Sequence, residues 1–236
     1  MQAPASLATR VALVTGASRG IGAAVACAFS EGGAKVALLS RSGASLGLPG
    51  ALGVACDVRD RDAVFAATAQ VVERFGSLDC VVANAGIGAY GPFLELDPEQ
   101  LEAMIDINLK GTLYTAAATL PHLIEAGGGD FVALASVAGL RGFPGEAVYN
   151  ASKFGQVGLM RSLDHEMREH GVRCTTVAPG GVATDFAMGT GRTAESVHGM
   201  MSAEEAAEAV VFAVTRPRSY RMLTMSYRPM NEPSWG

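Results

Sequence analysis

The sequence predicts a doubly wound α/β fold built on one parallel sheet of seven strands. Short runs rich in Val, Leu and Ala alternate with helix-compatible segments along almost all of the 236 residues. The first run opens into a glycine turn, a helix and a second run. That is the βαβ unit, whose right-handed crossover lays its two strands side by side and parallel. No internal repeat and no linker interrupts the pattern, so residues 1–236 read as a single domain.

Residues 1–8 are expected to be a loose leader, because MQAPASLATR has neither the basic start nor the long apolar run of a secretory signal. VALVT is the first strand, IGAAVACAFSEGG a helix ended by glycines, and VALLS the second strand. Only SGASLGLPG separates Arg41 from the third run, ALGVACDV, and its glycines and proline predict an irregular crossover in place of a helix. Asp60 opens a helix through Phe75, and LDCVVANAG carries the fourth strand to Asn84. A long helix follows from Pro98 to about Ala126, with IDINLKG in its middle. DFVALAS is the fifth strand, the next helix runs from about Ala147 to His170, and VRCTTVAPGG is the sixth strand. The remainder reads as a flexible segment, TDFAMGTGRTAESVHGM, a helix from Ala203 to Thr215 and a final strand around Arg221 to Tyr227. In such a sheet the ligand crevice lies at the carboxyl ends of the strands.

Composition excludes several classes of function. A net charge of -5 and a pI near 5.4, with no basic block, argue against partners such as nucleic acid or an anionic membrane. No apolar stretch reaches membrane-spanning length. Cys27, Cys56, Cys80 and Cys174 are scattered and read as reduced thiols, which points to the cytoplasm. His122, His165, His170 and His198 form no metal-ligand spacing, so no metal is expected.

Two stretches carry chemistry. In TGASRGIG, from Thr15 to Gly22, the glycines at 16, 20 and 22 let the backbone turn tightly and approach a diphosphate, whose charge the helix start favours. From Ser136 to Lys153, SVAGLRGFPGEAVYNASK ends a strand at Ser136 and sets Tyr149 and Lys153 four residues apart at a helix start, on one face. A nearby ammonium stabilises a phenolate, so Tyr149 is expected to have a lowered pKa and to carry a proton, with the Ser136 hydroxyl beside it. Taken alone the pair is also compatible with chance. A Lys here is notable in a chain with three Lys and fifteen Arg, since only the ammonium is a compact, pKa-shifting point charge.

TGASRGIG at 15–22, NAG at 84–86, Asn108, Ser136, YNASK at 149–153 and PGGVAT at 179–184 together resemble the short-chain dehydrogenase/reductases. The match runs in order from Arg10 to about Thr184, and the ordered set is far more specific than any one motif. The resemblance implies a Rossmann-type fold. It also implies that Tyr149 is the acid/base, that Lys153 holds the nicotinamide ribose, that Ser136 orients the carbonyl, and that Asn108 interrupts its helix and anchors a water on a proton path. Gly16, Ser18, Gly20, Ile21 and Gly22 would wrap the diphosphate, Asp57 and Val58 bracket the adenine, and Asn84, Ala85 and Gly86 line the central crevice. Pro179, Gly180, Val182 and Thr184 would bind the carboxamide side of the nicotinamide.

An acidic residue at the end of the second strand would favour NAD; here Ser40 and Arg41 stand there, with Arg19 in the glycine turn. Unless these arginines merely face water, they favour NADP(H) through charge-assisted hydrogen bonds. Leu140, Phe143, the loop IGAYGPF after Gly86, Phe186 and Met188 are expected to line the substrate end, with Arg141 as its only fixed charge. That suits a small-molecule ketone or aldehyde, or an acyl thioester tail. Residues 185–202 would form the substrate loop, short and Gly-rich enough to leave the pocket open. The C-terminus lacks the family's frequent glycine-ended final strand, and Tyr227, Met230 and Trp235 are expected contacts of a homodimer or homotetramer. The resulting expectation is an NADPH-dependent carbonyl reductase. A 3-oxoacyl-thioester reductase, needing a basic patch from Arg141 and Arg192, and a non-catalytic dinucleotide-binding regulator are the alternatives.

Overall fold

The computed structural model describes residues 6–232. Its strands are β1 (Val11–Thr15), β2 (Lys35–Ser40), β3 (Leu52–Ala55), β4 (Cys80–Ala83), β5 (Gly129–Leu134), β6 (Val172–Pro179) and β7 (Thr224–Tyr227). The α-helices are α1 (Gly20–Glu31), α2 (Arg61–Phe75), α3 (Pro98–Met104), α4 (Gly111–Glu125), α5 (Ala147–Met167) and α6 (Ala203–Thr215). The seven strands form one sheet in the order β3-β2-β1-β4-β5-β6-β7, with every pair parallel. The chain winds outward from β1 in one direction and from β4 in the other. Their carboxyl ends therefore part to leave a crevice.

Both faces of the sheet are covered, which is why its central strands β1, β2 and β4 are nearly continuous apolar runs instead of alternating. Leu13, Leu39, Val81 and Phe131 pack on one face with Val64 and Val71 of α2, Leu123 of α4 and Met160 of α5. Val14, Leu38, Val82 and Val132 pack on the other with Val25 and Phe29 of α1 and Val210 and Val214 of α6. Local chemistry sets the helix ends. The Asp60 side chain accepts hydrogen bonds from the amides of Asp62 and Ala63 to start α2, and Gly76, at φ 85°, ends it in the left-handed conformation. Ser202 and Glu205 close a capping box on α6.

The irregular crossover after Arg41 is present, with turns and no helix between β2 and β3. The long helix expected from Pro98 to Ala126 is not uniform. A π-helical stretch, Ile105–Lys110, separates α3 from α4, and the amide of Gly111 reaches back five residues to the carbonyl of Asp106. Such a widened turn inserts a residue and changes which side chains face inward. Here it buries Asn108 completely. The last strand is shorter than expected, four residues from Thr224. Segment 185–202 carries one 3-10 turn, Glu195–Val197, and is tied down by bridges pairing Val182 with Met201 and Met188 with Arg192.

Of the expected leader, residues 1–5 lie outside the described residues, whereas Leu7 is buried against the α1 face of the sheet. The Tyr227 hydroxyl donates within the chain, to the carbonyl of Ala206 at 2.9 Å, while Met230 is fully exposed and Trp235 lies outside the described residues. Among the described residues no helix is long and apolar enough to cross a membrane.

At the amino edge of the sheet, Asp130 on β5 pairs with Arg10, with its register partner Arg173 through Nε at 2.7 Å, and with Arg218 at 3.5 Å. Asp130 and Arg173 are both buried, so the carboxylate compensates cations that water cannot reach. Asp130→Ala is expected to destabilise the protein by about 3–5 kcal/mol in urea unfolding, the range for breaking a buried ion pair from one side. A loss below about 1 kcal/mol would contradict that role.

Candidate active site

The crevice at the carboxyl ends of the strands has a volume of about 470 Å³. It is lined at one end by Gly16, Ser18, Arg19, Gly20 and Ile21, and beyond them by Ser40, Arg41, Asp57, Val58 and Arg59. Asn84, Ala85 and Gly86 form its centre. Ser136, Tyr149 and Lys153 stand opposite, with Pro179, Gly180, Val182 and Thr184 beside them. Two of the expected site residues, Gly22 and Asn108, are not part of its lining.

The glycine turn is built for close approach. Gly16 has φ +64°, and a Cβ there would come within 2.7 Å of the Ala85 backbone. A Cβ on Gly22 would collide with the Asn84 side chain and the Gly16 carbonyl, so Gly22 serves packing beneath the turn. Asn84 fastens the turn to β1: its Nδ2 donates to the carbonyls of Thr15 at 2.9 Å and Gly16 at 3.2 Å. The Thr15 hydroxyl accepts from the amides of Asn84 and Ala85. Whereas α2, α3 and α6 begin on a capping side chain, α1 begins at Arg19 with no side-chain cap. Its first-turn amides are thus left for an anion in the crevice. These features fit the diphosphate of a dinucleotide.

Asn108 holds the site from behind. Its Oδ1 accepts from the amide of Ile87 at 2.8 Å, and its Nδ2 donates to the Ile87 carbonyl at 3.0 Å and to Ser152 Oγ at 2.9 Å. Ser152 Oγ donates in turn to the carbonyl of Tyr149 at 2.8 Å. One buried amide therefore ties the loop after β4 to the first turn of α5. The Asn108 carbonyl accepts from the Thr112 hydroxyl at 2.7 Å.

Tyr149 and Lys153 are both buried, and Lys153 Nζ lies 5.7 Å from the Tyr149 ring centroid. Nζ donates to the carbonyl of Leu134, at the end of β5, at 3.0 Å. Burial lowers the Lys153 amine from its ordinary 10.5 to about 7. The expected lowering of the phenol is not found: burial pushes Tyr149 up to about 12. The Ser136 and Tyr90 hydroxyls, as hydrogen-bonding partners, and the Arg192 charge act in the lowering direction without prevailing. Desolvation prevails, and the Glu146 charge adds to it in the raising direction. The phenol therefore keeps its proton at neutral pH.

The substrate end differs from expectation. Leu140, Arg141 and Met188 are not among the lining residues, and Arg141 is exposed, 5.6 Å from the Phe143 ring. Phe143 and Phe186 do line it, with Tyr90, whose ring meets that of Tyr149 edge-on at 5.5 Å between centroids. The fixed charges at this end are Glu146, Arg192, Glu232 and Asp185. Glu146 lies three residues before Tyr149 at the start of α5, and Arg59 two residues after Asp57, spacings that could have flagged both. Arg59 grips Asp57 with bonds of 2.6–3.1 Å. Glu232, from the C-terminal segment, had no local signal.

A parallel sheet with a crevice at its carboxyl ends and a Ser, Tyr and Lys gathered beside it is the architecture of an oxidoreductase. The model of the short chain dehydrogenase family matches residues 10–195, and the chain belongs to that family, whose members act on CH–OH and C=O groups. It is similar to an acetoacetyl-CoA reductase of Synechocystis sp., 39% identical over 184 residues that span 77% of this chain and 75% of the relative. Among solved structures, a closed serine dehydrogenase with NADP+ superposes with a TM-score of 0.90 at 28% identity, covering 96% of this chain and 97% of that one. A 3-ketoacyl-(acyl-carrier-protein) reductase of Brucella melitensis with NADH gives a TM-score of 0.84 at 27% identity, covering 94% and 97%.

The buried lysine makes stability depend on pH. Unfolded, its amine titrates near 10.5, and folded near 7. Between those values the unfolded chain binds a proton that the folded chain has released, so stability rises with pH across the window. Lys153→Met removes this dependence. Its stability relative to wild type is expected to be most favourable below pH 7 and to fall as pH rises towards 10.5, as urea midpoints at about pH 6 and about pH 9 would read. Equal differences at both would contradict the burial of a titrating amine.

Proposed function

We propose that the protein is an NADPH-dependent carbonyl reductase in which Tyr149 donates the proton. The observation that carries this reading is the meeting of Ser136, Tyr149 and Lys153 in the same crevice as the uncapped start of α1 and Arg41. When bound, the dinucleotide supplies the hydride. Tyr149, protonated at neutral pH, gives its proton to the carbonyl oxygen as the alcohol forms, and Ser136 holds that oxygen by a hydrogen bond. Lys153, titrating near 7, binds the ribose hydroxyls and can hold or release a proton near neutrality. Asn108 acts through others as a positioning residue, keeping Ile87 and α5 in register.

Gly16, Ser18, Gly20 and Ile21 cradle the diphosphate on this reading, with Gly22 packed beneath. Asp57 and Val58 border the adenine, Asn84, Ala85 and Gly86 the central crevice, and Pro179, Gly180, Val182 and Thr184 the nicotinamide. Ser40, Arg19 and Arg41 recognise the 2′-phosphate, supported by their shared position in the crevice lining. Both arginines are exposed, and Arg19 lies 3.8 Å from Asp185, whose charge partly offsets it.

A 3-oxoacyl thioester remains the second reading, favoured by the similarity to an acetoacetyl-CoA reductase. An acidic carrier protein is disfavoured, because Glu146, Asp185 and Glu232 share the mouth with Arg192 while Arg141 does not line it. A regulator without chemistry could use Lys153 to hold a ribose but would gain nothing from a buried phenol and a serine hydroxyl set beside it in the crevice.

Tyr149→Phe is expected to lower kcat for NADPH-dependent ketone reduction by about 10²–10⁴-fold, the range for a positioned general acid. Retention of most activity would overturn the assignment of the donor. Arg41→Asp is expected to lower the NADPH-to-NADH ratio of kcat/KM by about tenfold or more, through loss of a charge-assisted bond and repulsion of the phosphate. An unchanged ratio would remove Arg41 from 2′-phosphate recognition.

A further inference from the structure

Arg192 stands out among the crevice residues because its guanidinium closes no ion pair, although its charge reaches the Glu146 carboxyl and acts to lower the pKa of that group. Its Cζ lies 5.9 Å from the Tyr90 ring centroid and 5.9 Å from that of Phe186. Those two rings are the ones that flank Tyr149, at 5.5 and 5.8 Å between centroids. The guanidinium is therefore one aromatic ring away from the proton donor. Its one side-chain hydrogen bond is a long one, 3.3 Å from Nη1 to the carbonyl of Val182. Of the ion pairs among the described residues none involves Arg192, although Glu146 shares the crevice. Most of the five donors of a planar fork thus remain open to a ligand.

The backbone that presents Arg192 is fixed. The amide of Tyr90 donates to Thr190 O at 2.8 Å, the Thr190 hydroxyl donates to Gly88 O at 2.8 Å, and the Arg192 amide donates to Ala187 O at 3.1 Å. A Cβ on Gly191, at φ +107°, would run into Tyr90, so only glycine lets the two loops meet this closely. Ala187 itself takes φ 59°, a left-handed conformation uncommon for alanine. The 185–192 and 86–92 loops are interlocked, and Arg192 is held over the crevice by that lock.

A guanidinium among aromatic rings with a free donor fork matches a planar carboxylate, which it can bind through two parallel bonds. Glu146, Asp185 and Glu232 at the same end repel any anion, a phosphate dianion about twice as strongly as a monoanionic carboxylate, and a dianion calls for more than the one cation present. Resting on the carbonyl-reductase reading, we propose that Arg192 recognises a carboxylate on the substrate, so that the compound reduced is a short oxo acid and the product a hydroxy acid. Arg192 is then the residue that sets specificity for the acid over its neutral analogues.

Binding and turnover separate this inference from the one beneath it. Isothermal titration calorimetry on protein saturated with NADPH, which cannot react with an alcohol, compares lactate and 3-hydroxybutyrate with their methyl esters. The acid of at least one pair is expected to bind about tenfold or more tightly than its ester. Arg192→Gln should bring that ratio close to one, and Arg192→Lys should restore part of it; a merely structural role would weaken acid and ester together. Equal affinities in wild type, no detectable binding of either acid, or a ratio that survives Arg192→Gln would overturn the proposal. If NADPH itself fails to bind, or neither acetoacetate nor its methyl ester is reduced, the carbonyl-reductase reading fails. The acid-to-ester comparison is then made on the cofactor-free protein and still decides the role of Arg192.

Discussion

The burial of one lysine amine at the end of β5 is the constraint on which the site depends. An ammonium removed from water is stable only if something else holds it, and here the holder is the carbonyl of Leu134. That single backbone acceptor does not fully replace water. The amine accordingly titrates near neutrality, and burial raises the phenol beside it. Both members of the pair thus start in, or close to, their neutral forms. On the proposed reading, a phenol that keeps its proton is in the form that a proton donor needs.

The rest of the fold can be understood as support for that arrangement. β5 delivers Leu134 and Ser136, while α5 delivers Tyr149 and Lys153 on one face. The two elements are locked by Asn150, whose side chain donates to Ala138 O and Arg141 O and accepts from the Phe143 amide. A glycine at 139 lets them touch, since a Cβ there would come within 2.7 Å of the Lys153 carbonyl. From the other side, the π-helical turn swings Asn108 inward to clamp Ile87 and Ser152. Polar groups inside a low-dielectric site are held this firmly only when almost all of their hydrogen bonds are made.

Much of this was legible in the sequence, and the reasons differ from part to part. The sheet could be read because continuous apolar strands and glycine turns are local signals, and even the absence of a helix after Arg41 followed from SGASLGLPG. The crevice lining followed from ordered motifs, so that Gly16, Asn84, Ser136, Tyr149 and Lys153 converge as expected. The π-turn at Ile105–Lys110 was not read from pattern alone, because inserting a residue in a helix leaves composition unchanged. The pKa of Tyr149 was misjudged because spacing gives proximity but not burial, and burial decided its direction. Arg192 took the place expected of Arg141 because loop packing against Tyr90, a contact between distant stretches, sets which arginine faces inward.

The central claim is that burial, more than the neighbouring charge, sets the ionisation of the Lys153–Tyr149 pair. Nitrogen-15 NMR titration of the lysine side chains reads it directly, since the chain has only three lysines and Lys153→Met assigns the signal. A Lys153 amine that loses its proton near pH 7 in the cofactor-free protein is the result this account requires. An amine that stays protonated past its ordinary 10.5 would contradict it.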